Sequence, residues 1–266
     1  MCNSNNSMKH LIQFAHPNGF PAKCFTHLFN LIENTTINYV EVMGHNQIEL
    51  DNNLDNLALE LIESIEKSFK GLPVIGVGHS AGGVLILIAA SLRPELFNKV
   101  IIIEPIFFSN WKRFLILLLK KVGLSIFIGP TKKTLKRKST FITRKEALEY
   151  FKGKNIFSKL DKACFSDYIE HGLKKRGNGF ELVFSKKIES DIYRSTYTKH
   201  LKGIERLDGT LIYGNKSSMF KKSDVMWWKR KYPNFKTIEL DGGHLFPLEE
   251  PVKTAEIINK ILMQNT

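Results

Sequence analysis

Cysteine is scarce in this chain: Cys2, Cys24 and Cys164 are the only three in 266 residues, with no CxxC pair and no cysteine–histidine ligand spacing. So odd and scattered a set builds neither a disulfide framework nor a structural zinc site, and it implies a reducing, cytoplasmic compartment. Long apolar runs are missing too. The longest, Phe114 to Ile128, is broken by Lys120 and Lys121 and falls short of the roughly 20 residues a spanning helix needs. Met1 to Lys9 is polar and rich in Asn and Ser, unlike the apolar core of a secretory leader. There is no internal repeat and no long linker, so one α/β domain carrying an insertion accommodates the length.

Acidic residues are absent from Pro105 to Lys145, a stretch holding eleven Lys or Arg, and the whole chain carries a formal charge of +13. The motifs of common nucleic-acid binders are missing, so nucleic acid is not an expected partner. Abundant lysine throughout the chain accounts for the charge most simply. The basic stretch then reads as a solvated face, or as a lid that draws an anionic substrate or makes weak contact with a membrane surface.

Short apolar runs alternate with helical periodicity, the pattern of a largely parallel sheet covered by helices. Strands are predicted at about His10–Ala15, Asn38–Val42, Pro73–Gly78, Lys99–Glu104, Thr210–Tyr213 and Lys236–Leu240. Leu54 to Phe69, Ala81 to Leu92 and Pro251 to Met263 carry helical patterns. Between Glu104 and Thr210 the alternation stops, and an aromatic, basic, helical insertion takes its place.

Gly78-His79-Ser80-Ala81-Gly82 is a G-x-S-x-G sequence between the strand Val74–Val77 and an apolar helix. That context is the one a nucleophilic serine needs: a strained turn, crowded by its own backbone, followed by a helix N-terminus. Gly76-Val77-Gly78-His79-Ser80-Ala81 also satisfies the dinucleotide pattern G-x-G-x-x-G/A, with Glu104 where a ribose-binding acid is expected. That second reading leaves two further motifs unexplained. His16-Pro17-Asn18-Gly19-Phe20-Pro21 follows the first strand and can expose a backbone N–H. Acyl transfer needs two such donors for its oxyanion; Ala81 supplies one, and Asn18, or Phe20 if the loop is shifted a step, supplies the other. Asp241-Gly242-Gly243-His244 follows the last strand, and its glycines let the chain turn back to deliver His244 to the serine as general base.

HPNGFP at 16–21, GHSAGG at 78–83, IEPI at 103–106 and DGGHLFPLEEP at 241–251 together resemble the α/β-hydrolase superfamily across nearly the whole chain. The resemblance implies a mostly parallel sheet flanked by helices, with a hydrolase core at 1–105 and 206–266. Residues 106–205 are expected to form a helical cap inserted after the strand ending at Glu104. In Lys136-Arg137-Lys138, Thr143-Arg144-Lys145-Glu146-Ala147 and Tyr150-Phe151, the cap is similar to that of an uncharacterised subgroup.

Many superfamily members carry the triad acid in a turn after the penultimate strand, but here that turn is Gly214-Asn215-Lys216-Ser217, without one. Glu104 is the expected replacement, since Ser80, Glu104, His244 keeps the chain order of such triads. Asp224 is the runner-up, and Asp241 ranks third because it stands so near His244. Phe20, Phe107, Phe108 and Trp111 are expected pocket walls. The implied activity is hydrolysis of an ester or related acyl bond in a small, apolar substrate, with no metal or organic cofactor. An acyltransferase or C–C bond hydrolase on the same triad, or a non-catalytic ligand-binding protein of this fold, are the alternatives.

Overall fold

The computed structural model describes residues 9–46 and 49–264. Cys2 and all but Lys9 of the Met1–Lys9 segment lie outside that range. In chain order the strands are β1 (His10–Ala15), β2 (Thr35–Tyr39), β3 (Val74–His79), β4 (Phe97–Ile103) and β5 (Thr140–Phe141). They continue with β6 (Leu173–Arg176), β7 (Gly179–Leu182), β8 (Gly209–Gly214) and β9 (Lys236–Leu240). Six of them form one sheet in the order β2-β1-β3-β4-β8-β9, with every pairing parallel.

Parallel pairing requires a crossover between neighbours, and helices supply it on both faces of the sheet. β3 is buried at all six positions, as a central strand covered on both sides must be. On one face lie the Asp55–Phe69 helix, which buries Leu57, Leu61 and Ile65, and the Ala81–Leu92 helix, apolar except at Ser91. On the other lie Phe25, Leu28 and the Pro251–Met263 helix, which buries Ile258 and Ile261. Proline at the first position of that helix forfeits no intrahelical hydrogen bond there.

Predicted and observed strands coincide closely except at β2, which runs over Thr35–Tyr39 rather than Asn38–Val42. It is an edge strand of Thr, Ile and Asn, half-buried, so its apolar signal is weak and displaced towards Val40 and Val42. Between β4 and β8 the chain is helical in the main, and it also contains a small antiparallel sheet, β5-β7-β6, absent from the helical expectation. The Leu173–Arg176 strand is hidden in sequence by its run of three cations, which point to solvent and carry no apolar alternation. No helix among the described residues is long and apolar enough to cross a membrane.

Candidate active site

Because the large sheet is parallel throughout, the C-terminal ends of its strands share one edge, and loops leaving that edge converge. Ser80 follows β3, Glu104 follows β4, Ser217 lies in the turn after β8, and His244 lies in the loop after β9. The β3–β4 register pairs His79 with Ile103, so Ser80 and Glu104 leave the sheet side by side.

Ser80 sits at φ +56°, ψ −116°, with a positive φ that a non-glycine residue rarely adopts. The turn is enforced by close backbone approach. A Cβ on Gly78 would lie 2.5 Å from the Gly82 carbonyl oxygen, and one on Gly82 would lie 2.0 Å from that of Ala15. The Ser80 N–H donates to the Ile103 carbonyl at 2.9 Å, tying the turn to β4.

His244 Nε2 lies 3.0 Å from Ser80 Oγ, and its Nδ1 lies 2.6 Å from Glu104 Oε2. An ionised carboxylate only accepts, so Nδ1 carries the proton and Nε2 is left to accept from the serine hydroxyl. Glu104 is fully buried and its carboxylate is held by further donors: Oε1 accepts from the Gly214 N–H at 2.8 Å, and Oε2 also accepts from Ser217 Oγ at 2.6 Å. These partners hold the carboxylate against His244. In sequence the turn holding Ser217 lacks an acid, and a hydroxyl there reads as able to orient the histidine. In the structure that hydroxyl bonds to the Glu104 carboxylate instead, a partner that sequence reasoning misses.

His79 points away from the serine, and its Nε2–H donates to the His244 carbonyl at 2.9 Å. Burial, reinforced by the neighbouring His244, lowers its pKa to about 3, so the ring is neutral. The loop after β1 is braced from the segment between β4 and β8. Asn18 Nδ2 donates to the Glu189 carbonyl at 2.9 Å, and the buried Glu189 carboxylate lies beneath Gly19 while pairing with Arg137. The Phe20 N–H is used by Pro17 O at 3.3 Å, whereas those of Asn18 and Ala81 have no partner among the described residues.

Ser80, Ala81, Asn18 and His244 open on a cavity of about 460 Å³. Its wall is largely aliphatic, with Leu54, Val84, Ile106, Ile128 and Ile192, and polar groups enter at Lys159, Glu249 and Tyr193. Phe20 and Phe108 line it. Phe107 and Trp111 do not. Phe107 is buried among Tyr197, Trp227, Trp228 and Tyr232, because the chain reverses its facing between adjacent residues. Trp111 projects into solvent at 66% exposure.

The structure superimposes on the peroxisomal alpha-beta-hydrolase Lpx1 of Saccharomyces cerevisiae with a TM-score of 0.74, covering 97% of this chain and 77% of that one at 16% identity. E-2-(acetamidomethylene)succinate hydrolase also matches at 0.74, over 96% of this chain and 91% of its own, at 17% identity. This chain has the α/β-hydrolase fold. An esterase of Mycobacterium tuberculosis matches at 0.68 over 96% of this chain and 86% of its own, with 16% identity. In sequence, a 52-residue stretch, 20% of this chain, is 36% identical to human monoglyceride lipase and spans 17% of that relative's length. No protein-family model matches the chain.

Within this α/β-hydrolase fold, neither alternative acid engages His244. Asp224 caps the Lys222–Lys231 helix, accepting from the Lys221 N–H at 3.1 Å, and pairs with Lys112 at 2.6 Å. Asp241 is exposed and paired with Lys216 at 2.8 Å, which holds its carboxyl below the usual range.

Proposed function

We propose that the chain is a serine hydrolase that cleaves an ester or related acyl bond of a small, apolar substrate. The observation that carries this reading is the unbroken hydrogen-bond line from Ser80 Oγ through His244 to Glu104, opening on an apolar cavity. Ser80 Oγ attacks the acyl carbonyl while its proton passes to His244 Nε2, and Glu104 stabilises the imidazolium that results. The Asn18 and Ala81 N–H groups receive the oxyanion. His244 returns the proton to the leaving group, and water, deprotonated by the same imidazole, releases the acyl chain from Ser80. The scheme uses no metal or organic cofactor.

Residues 106–205 act in this reading as the cap over the acyl site, supplying Phe108, Ile128, Ile192 and Tyr193 to its wall. The aliphatic lining and the 52-residue likeness to monoglyceride lipase support an acyl ester as the scissile group. A fluorophosphonate probe tests the proposal: covalent labelling of the folded protein, lost in Ser80→Ala, is expected. A folded wild type that neither labels nor hydrolyses short-chain aryl esters would refute it and favour a ligand-binding role.

A further inference from the structure

The Asn110–Lys121 helix is built inside out. Trp111, Phe114, Leu115, Leu118 and Val122, at its C-cap, recur at helical spacing, and each is between 41% and 66% exposed. Three of the helix's four cations turn the other way, Lys121 being the exception. Arg113 is buried, donating to the Lys199 carbonyl and Asn110 Oδ1 and lying over the Phe107 ring. Lys120 reaches back to the carbonyls of Asn52 and Thr196, and Lys112 pairs with the buried Asp224. A helix solvated on its outer side places these groups the opposite way round. Contiguous exposed apolar surface of this kind marks a contact face.

The segment after the helix extends that face and adds charge. Leu124, Phe127 and Leu135 are exposed, with Lys121, Lys132, Lys133 and Lys136 exposed around them, and Lys132 Nζ lies 3.8 Å from the Phe127 ring centroid. No acidic residue occurs from 105 to 145 to offset these lysines. A second copy of the chain, meeting this face with its own, would bring one cationic rim against another. An anionic lipid surface complements both parts: acyl chains receive the apolar stripe and headgroups receive the lysines.

We infer that the face formed by the Asn110–Lys121 helix and the 122–136 segment docks on an anionic lipid bilayer. Ile106 and Phe108 just before the face, and Ile128 to Pro130 within its 122–136 segment, line the cavity beside Ser80, so the docked face lies against the cavity wall.

The test is flotation of the full chain with vesicles of phosphatidylcholine alone and of phosphatidylcholine containing phosphatidylserine. Binding is expected to the second and to weaken with added salt, with a blue shift of tryptophan fluorescence that W111S removes. K132Q/K133Q is expected to weaken binding roughly 30-fold, and W111S/F114S to abolish it, with far-UV circular dichroism and melting unchanged because all four side chains are at the surface. Absence of vesicle binding, equal binding to both vesicle types, or full binding by W111S/F114S would each overturn the inference. So would a dimer in solution that W111S/F114S splits, since a second copy would then cover the face. None of these readouts requires the protein to be catalytically active.

Discussion

Glu104 Oε2 lies 2.6 Å from His244 Nδ1, although 140 positions separate the two residues in the chain. The contact fixes the imidazole tautomer that leaves Nε2 free to accept from Ser80, and Glu104 can make it because two further donors, the Gly214 N–H and Ser217 Oγ, hold its carboxylate in one orientation.

Replacing that carboxylate with an amide is therefore expected to favour the wrong tautomer. Glu104→Gln should lower kcat on a short-chain aryl ester by roughly 10³–10⁴-fold, while Asp224→Asn should retain near wild-type turnover. Steady-state kinetics of the two variants decides the matter; equal activity in Glu104→Gln and wild type would remove Glu104 from the triad.

Ser217 acts one bond further out. Ser217→Ala removes a donor to the buried carboxylate, and about a tenfold fall in kcat with little change in KM is expected. Ser217→Thr keeps a hydroxyl at the same place and should restore most of the loss. A KM effect alone would assign Ser217 to the substrate rather than to Glu104.

Gly82 tests the elbow as a packing problem. With a Cβ there only 2.0 Å from the Ala15 carbonyl oxygen, Gly82→Ala must push the helix off β1. A stability loss of about 3 kcal/mol, the upper end for overpacking, is expected, measurable by chemical denaturation. A variant with an unchanged midpoint would mean that the turn is looser than these distances require.

Stability should also depend on acid. Burial lowers the pKa of His16 to about 4 and that of His79 to about 3, against 6.5 for the ordinary side chain. Both rings are thus neutral in the folded protein while the unfolded chain takes up protons below 6.5. The unfolded state binds more protons there, so stability is fully present above that pH and falls as pH drops towards 4. Each group contributes roughly 1.4 kcal/mol per pH unit. Denaturation midpoints at pH 7.5 and pH 5 should differ accordingly, and identical midpoints would show that neither ring is held neutral.

Local features of the chain are legible in the sequence. The serine turn can be read because its glycines answer a contact within a few residues, and the helices Ala81–Leu92 and Pro251–Met263 because burial imprints a periodicity on consecutive positions. The loop that presents His244 is readable for the same reason: its glycines and its place after a strand are sequence-local.

The acid, the pocket walls and the outward face of the Asn110–Lys121 helix are another matter. Glu104 can be weighed against Asp224 from sequence but is paired with His244 only by the parallel register, which carries Ile103 beside both His79 and Ile212. Phe107 and Phe108 are neighbours of one type, yet one is buried among aromatic rings and the other lines the cavity. Sequence by itself determined most strands of the parallel sheet, its flanking helices and the glycine-flanked serine turn, because those depend on neighbours along the chain. Tertiary structure decided which distant carboxylate, hydroxyl and aromatic side chains share the site, because those depend on how strands far apart in sequence come to lie side by side.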